Sequence, residues 1–118
     1  QSINLGFVAL INMKEVSKTI CVDFDGVIPQ YNRPSFKGLP PDPPVEGVKE
    51  ALDKLQKLGF EIVIYTAREK NQQKFIKKWL KLYEIKYNKL ILGKPKAVMY
   101  IDDRALRFVS WKDTLNYF

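Results

Sequence analysis

The stretch Thr19-Ile20-Cys21-Val22-Asp23-Phe24-Asp25-Gly26 decides the fold of this chain. Its first six residues are mostly β-branched or apolar and run into acidic residues, which predicts a buried strand whose carboxyl end opens to solvent. Asp23 and Asp25 are two residues apart, and side chains at this spacing project to the same side of an ideal strand. We therefore expect the first core strand to deliver a pair of carboxylates to one end of a sheet.

A helix and a second buried strand follow. Residues 26–44 contain two Gly and six Pro, which favours a loop or small flap over a strand or helix. From Val45 to Leu58 the apolar residues have helical spacing, and Gly59 stands where a C-terminal cap belongs. Residues 60–65 read as the second strand, with Thr66 at its carboxyl end. Strand, helix and strand in succession predict a parallel pair.

The rest of the chain repeats this alternation. Residues 69–83 predict a helix with mostly basic residues on one face, and residues 89–92 and 97–101 predict two short strands. Residues 108–118 predict one more short strand and a terminal helix. The resulting fold class is α/β, a three-layer α/β/α sandwich with a mainly parallel sheet. The residues expected on the buried face of the second helix are Phe75, Ile76, Trp79, Leu80 and Tyr83.

Composition excludes several kinds of chemistry. The chain of 118 residues has no His, so Ser-His-Asp triads and imidazole metal sites are absent. Its single cysteine, Cys21, can form neither an intrachain disulfide nor a thiolate zinc site, and we expect it to be a small buried side chain. Hydrophobic residues make up 46% and charged residues 28%, as in ordinary globular domains. Carboxylates are therefore the main candidates for chemistry.

We divide the chain into an N-terminal extension or cloning-derived segment, residues 1–12, and one domain, residues 13–118. The longest apolar stretch near the start, residues 5–11, is far shorter than the ~20 residues that a membrane span needs. We therefore expect a cytoplasmic protein without membrane association. The sequence does not indicate an oligomeric state.

Four separate segments bring polar residues to the carboxyl end of the predicted sheet, where parallel α/β sheets bind ligands. Four carboxylates gathered there would repel one another, and a bound divalent cation would relieve this repulsion. Ligands that are all oxygen favour Mg²⁺ over zinc. The residues are Asp23, Asp25, Thr66, Lys94, Asp102 and Asp103.

A Mg²⁺ site beside a lysine and a hydroxyl suits a phosphate ester. Cations and hydrogen-bond donors stabilise the charge that is redistributed over the phosphoryl oxygens during transfer. Because the chain lacks His and its cysteine is not expected to react, the candidate nucleophile is an aspartate, which would form an acyl-phosphate that water cleaves. We therefore expect a Mg²⁺-dependent phosphomonoester hydrolase.

These segments resemble the four motifs of the haloacid dehalogenase (HAD) superfamily, in the order of that family. They are Asp23-Phe24-Asp25-Gly26-Val27 after a strand, Thr66 at the end of the next strand, Lys94 in Gly-Lys-Pro-Lys, and Asp102-Asp103. The resemblance covers residues 18–108 and implies a HAD-like, Rossmann-like hydrolase domain. Neither residues 26–44 nor residues 67–93 could hold a cap domain, so the chain is similar to the capless members.

The resemblance also implies roles for individual residues. Asp23 would attack phosphorus, while Asp25 would protonate the leaving group and later deprotonate the attacking water. Thr66 would hold a phosphoryl oxygen and Lys94 would neutralise the phosphate, so both count with the two aspartates as catalytic residues. The substrate-binding set is Gly26, Thr66, Ala67, Arg68 and Lys94.

The resemblance places Mg²⁺ on the Asp23 carboxylate, the Asp25 carbonyl oxygen and one of the acids Asp102 and Asp103. Adjacent residues of an extended strand point to opposite sides, so one of this last pair would bind directly, while the other would bind through water or orient Lys94. The sequence leaves open which one binds directly.

Three alternatives differ in substrate or class. We expect a phosphorylated small molecule as substrate, but once four acids are assigned to the site, 20 basic residues face nine acids, which also suits nucleic-acid ends. A phosphorylated receiver domain has similar residues, although Asp53 lies in a helical pattern where the acceptor should follow a strand. A non-catalytic basic binding module on the same fold is the third alternative.

Overall fold

The computed structural model describes residues 18–31 and 42–118, and a sheet of three parallel strands in the order β1-β2-β3 lies at its centre. The α/β class and the parallel order predicted from the sequence are confirmed. The predicted extension, residues 1–12, lies outside the described residues. The elements are β1 (Thr19–Asp23), α1 (Val48–Lys57), β2 (Glu61–Thr66), a 3-10 turn (Lys70–Gln72), α2 (Gln73–Leu82), β3 (Lys89–Leu92) and α3 (Trp111–Leu115).

The core lies between the helices and one face of the sheet. Helix α1 buries residues at positions i, i+3, i+4 and i+7, which is one face of a helix, and Gly59 ends it with a φ of 98° that only glycine adopts readily. Fully burying a valine or leucine side chain, the two larger kinds on this face of α1, stabilises the fold by about 1.5–3 kcal/mol. The core includes Val22, Ile62 and Ile64 from the sheet, Val48, Ala51, Leu52 and Leu55 from α1, and Ile76, Trp79 and Leu80 from α2.

The register of the strands brings their carboxyl ends together. Asp23, the last residue of β1, pairs with Tyr65, and Thr66, the last residue of β2, pairs with Leu92 at the end of β3. The chain therefore leaves all three strands at one edge, with Gly93 and Lys94 directly after β3. This edge is the predicted ligand-binding side of the sheet.

The predicted strand at residues 97–101 is wrong, because these residues have no regular secondary structure. Val98 and Ile101 are fully exposed, at 103% and 93%. A parallel strand beside β3 needs a crossover of about a dozen residues, and only residues 93–96 separate the two segments. The terminal helix predicted in residues 108–118 is confirmed as α3, but that segment forms no strand.

Predictions of burial are also wrong for Cys21, Phe75 and Tyr83, the last of which is 37% exposed. Cys21 is exposed, because side chains alternate along β1 and it points away from the face that carries Val22. Phe75 is 59% exposed, because the buried face of α2 is centred on Ile76, Trp79 and Leu80. No helix in residues 18–31 and 42–118 is long and apolar enough to cross a membrane.

Candidate active site

Asp23 ends β1 at the start of a tight turn. Its Oδ1 atom accepts a hydrogen bond of 2.9 Å from the backbone N–H of Phe24, and the N–H groups of Val27 and Ile28 both donate to the Phe24 carbonyl. Gly26 has a φ of 85°, a conformation that side chains with a Cβ rarely adopt. The turn keeps Asp23 and Asp25 at the sheet edge as the chain leaves β1.

Asp25 is held by a bidentate ion pair with Arg68. The Nε and Nη2 atoms of the guanidinium donate to the two carboxylate oxygens, each at 2.9 Å, and the Arg68 side chain is only 5% exposed. A third nitrogen, Nη1, donates to Gln72 at 3.2 Å, and the guanidinium carbon lies 5.7 Å from the ring centre of Phe24. Arg68 therefore fixes the orientation of Asp25, while its predicted contact with substrate stays a prediction.

Lys94 faces Asp23 from the segment after β3. Its Nζ atom lies 3.9 Å from Asp23 Oδ1 and is sandwiched between the rings of Tyr65 and Tyr100, at 3.8 and 4.0 Å from their centres. The Tyr100 hydroxyl donates to the Pro95 carbonyl, which folds the chain back over the lysine. The ammonium is thus held by one carboxylate and two aromatic faces, with its side chain 10% exposed.

Thr66 organises the loop after β2. Its hydroxyl oxygen accepts from the Arg68 N–H at 3.1 Å, and its carbonyl accepts from the Lys94 N–H at 2.9 Å. The Gly93 N–H donates to the Arg68 carbonyl at 3.1 Å, so the segments after β2 and β3 are joined twice. Thr66 is buried and Ala67 lies partly buried beside it, and the expected contact of both with a phosphoryl group stays a prediction.

Burial raises the pKa of Asp23 above its usual 3.8, and the nearby charge of Asp25 adds to this effect. The Lys94 ammonium and the hydrogen bond from the Phe24 N–H act in the opposite direction without cancelling it. A carboxylate with a raised pKa is more basic and hence a better nucleophile once it is ionised. Since 42% of its side chain is exposed, Asp23 is also open to a substrate.

The structure does not bring Asp102 and Asp103 to this site. Asp102 accepts from the Arg104 backbone N–H at 2.9 Å, and the Asp103 side chain is 93% exposed and lies 3.8 Å from the Arg104 guanidinium. Among residues 18–31 and 42–118, no three acids or cysteines lie close enough together to hold a metal. The described arrangement thus brings a half-exposed Asp23 carboxylate to the edge but not the four-acid set, and Mg²⁺ stays a prediction.

The sequence reasoning missed four residues that build the site, one of which is Tyr100, whose ring faces the Lys94 ammonium. Tyr65 was predictable from register, because a residue paired with Asp23 lies beside it at the sheet edge. Gln72 carried no spacing signal, because Arg68 precedes the 3-10 turn that contains Gln72. Trp111 carried no local signal: its Nε1 atom donates to the Val27 carbonyl at 2.8 Å across 84 residues of chain.

Comparison with protein-family profiles and with curated protein sequences finds no match. The structure is similar to the crystal structure of a structural-genomics target from Vibrio cholerae, with a TM-score of 0.63 and 28% sequence identity. The alignment covers 84% of this chain and 94% of that chain. The two proteins therefore share an α/β architecture over most of their length.

Proposed function

We propose that this protein is a phosphomonoester hydrolase in which Asp23 is the nucleophile. The observation that carries the proposal is the pairing of each of two neighbouring carboxylates with its own cation, Asp23 with Lys94 and Asp25 with Arg68. These four groups lie at the carboxyl edge of a parallel sheet, where α/β folds bind ligands. Asp23 is half-exposed, as a nucleophile must be to meet its substrate, and Asp25 is held in one orientation, as a proton donor must be.

The reaction balances with these groups. An Asp23 oxygen bonds to phosphorus as the bond from phosphorus to the ester oxygen breaks, and protonated Asp25 gives its proton to the leaving oxygen. Water then attacks phosphorus, Asp25 takes one of its protons, and phosphate leaves as the Asp23 carboxylate is restored. Each carboxylate oxygen of Asp25 keeps a second lone pair beside the hydrogen bond that it accepts from Arg68, so Asp25 can carry a proton, as a neutral acid, while both hydrogen bonds stay in place.

Positive charge at the site comes from Lys94 in this arrangement. Its ammonium is placed to meet a phosphoryl group that approaches Asp23, and the two tyrosine rings restrict its motion. Mg²⁺ bound at this edge would add charge neutralisation of the phosphoryl oxygens, and its expected ligands there are the Asp23 carboxylate and the Asp25 carbonyl, because Asp102 and Asp103 lie away from the site. The connections 26–44 and 67–93 are too short for a cap domain, which suits a phosphorylated substrate that extends beyond the site, either a cytoplasmic metabolite or a larger molecule.

Hydrolysis of para-nitrophenyl phosphate in the presence of Mg²⁺ tests the proposal. We expect Asp23→Asn to lower kcat by about a thousand-fold or more, because the amide cannot form the acyl-phosphate. Asp53→Asn is the matched control, since Asp53 pairs with Lys49 on α1 and not with the site. In crystals grown with beryllium fluoride and Mg²⁺, the adduct should lie on Asp23. Full activity of Asp23→Asn, or an adduct on another residue, would contradict the assignment.

A further inference from the structure

The outer face of α2 carries a basic groove. Four exposed lysines at positions i, i+3, i+4 and i+7 line a depression of about 500 Å³ together with an amide and an aromatic ring. A second depression, of about 520 Å³, shares Lys77 and Lys81 with the first and continues to Lys86 and Tyr87. We call the two together the lysine groove. The first depression is lined by Asn71, Lys74, Phe75, Lys77, Lys78 and Lys81.

The charges of the groove are not neutralised from within the described part of the chain. None of its lysines forms an ion pair there, and Glu84 is the one acid that lines it. Like charges three and four residues apart on a helix repel one another and destabilise it. An anionic partner that lies along α2 would remove this repulsion, and the complementary charge is therefore that of a polyanion.

An exposed aromatic ring points to nucleic acid as the polyanion. Phe75 is 59% exposed within the groove, where an unpaired base could stack on its ring. The ten residues of α2 span about 15 Å, a length that fits a few nucleotides of single strand. An exposed ring among the lysines suits a strand with unpaired bases better than an anionic lipid surface, and bases in a duplex are not free to stack on a side chain.

The groove begins next to the candidate active site. Asn71, at its near end, adjoins Gln72, which accepts a hydrogen bond from Arg68. Arg68 in turn holds Asp25. A strand in the groove would therefore have one end close to the two carboxylates.

We propose that the lysine groove binds single-stranded nucleic acid and presents its terminal phosphate to Asp23. The binding step depends only on the groove, whereas the second step rests on the proposed phosphatase function. The inference names the substrate class as oligonucleotides with a terminal phosphate.

Fluorescence anisotropy with a labelled twelve-residue oligo(dT) that carries a 3′-phosphate tests binding by the full chain. We expect the affinity to fall with KCl concentration, and Lys77→Gln with Lys81→Gln to weaken binding roughly 10- to 60-fold at 50 mM salt. The slope of log affinity against log salt should fall by about 1.4 for the two lost contacts. Phe75→Ala should weaken binding about 5- to 100-fold through lost stacking.

The matched control is Lys54→Gln with Lys112→Gln, which removes the same charge from exposed positions outside the groove. Binding that weakens equally in this control would overturn the proposal, as would wild-type binding that is absent or insensitive to salt. Tighter binding to vesicles of phosphatidylcholine and phosphatidylserine than to the oligonucleotide would also overturn it. Oligonucleotide binding retained in Asp23→Asn supports the groove whether or not the phosphatase proposal holds, and phosphate release lost in that variant supports the second step.

Discussion

Residues 19–92 and residues 93–110 contain apolar segments with the same strand-like pattern but opposite burial. In the first region Val22 and Ile64 are 4% and 0% exposed, whereas in the second Val98 and Ile101 are 103% and 93% exposed. In the part of the chain that the structure describes, the first region contains strands β1, β2 and β3, and the second has no regular secondary structure. A β-branched pattern therefore shows that a segment can pair, and not that a partner is within reach.

Chain length between the segments explains the difference. The connections from β1 to β2 and from β2 to β3 each contain a helix and exceed twenty residues, which is enough for a parallel crossover. The four residues 93–96 instead follow the sheet edge, and their backbone bonds to Thr66 and Arg68 fix the chain there. Residues 93–96 are too few for a crossover to a further parallel strand, and the same short segment places Lys94 beside Asp23.

The largest expected effect tests the contrast in burial directly. Ile64→Ala should lower the free energy of unfolding by about 3 kcal/mol, because it leaves a cavity in a fully buried position. Ile101→Ala, the same change at an exposed position, should alter it by less than about 0.5 kcal/mol. Urea unfolding followed by circular dichroism measures both. A loss at Ile101 that equals the loss at Ile64 would mean that the second region is buried in solution.

The next effect concerns the ion pair that the first region builds. Arg68→Ala should lower kcat for para-nitrophenyl phosphate about a hundred-fold, because Asp25 loses the partner that orients it. Arg68→Lys should recover part of the activity, since an ammonium keeps the charge but cannot form both hydrogen bonds.

Arg107→Ala is the control for this pair, because Arg107 is exposed and lies in the second region. Its kcat should stay within about two-fold of the wild type. If Arg68→Ala raised KM at constant kcat, Arg68 would act by binding substrate, as its motif position suggests, and not by orienting Asp25.

Local sequence patterns were enough to predict most of the fold and the part of the site that lies at the ends of the strands. Asp23, Thr66 and Lys94 come together because parallel strands end at one edge, which follows from periodicity alone. The exposure of Phe75 could not be predicted from periodicity, because helical spacing is compatible with several overlapping buried faces of α2. Packing against the rest of the protein selects one of them. The reach of Trp111 to Val27 depends on contacts far apart in the sequence, and no local pattern encodes it.

A smaller effect is expected where the second region touches the site. Tyr100→Ala removes one of the two rings that face the Lys94 ammonium and should lower kcat/KM about two- to five-fold. Tyr100→Phe keeps the ring and should restore most of the activity, although it loses the hydroxyl bond to Pro95. Equal losses in the two variants would show that the hydroxyl positions the segment and that the ring face contributes little.

The smallest effect is a pH dependence of stability that arises at Asp23. Because burial raises its pKa, the folded state binds a proton more tightly than the unfolded state once the pH exceeds about 3.8. Ionisation of Asp23 therefore reduces the free energy of unfolding as the pH rises from that value through the raised pKa. The free energy of unfolding of Asp23→Asn, relative to that of the wild type, should therefore rise over this window and then stay constant. The rise should be less than about 1 kcal/mol, because 42% of the Asp23 side chain is exposed to solvent.

Urea unfolding of both proteins between pH 3.5 and pH 7, with Glu46→Gln as the control for removing one exposed charge, measures this difference. A difference that falls as the pH rises would mean that attraction by Lys94 outweighs the burial of Asp23. The expected sign has a functional consequence, because the site would then keep its nucleophile at a cost to stability. Asp25 is the contrasting case: a buried guanidinium donates to both of its carboxylate oxygens, whereas Asp23 is half-exposed and lies 3.9 Å from its cation.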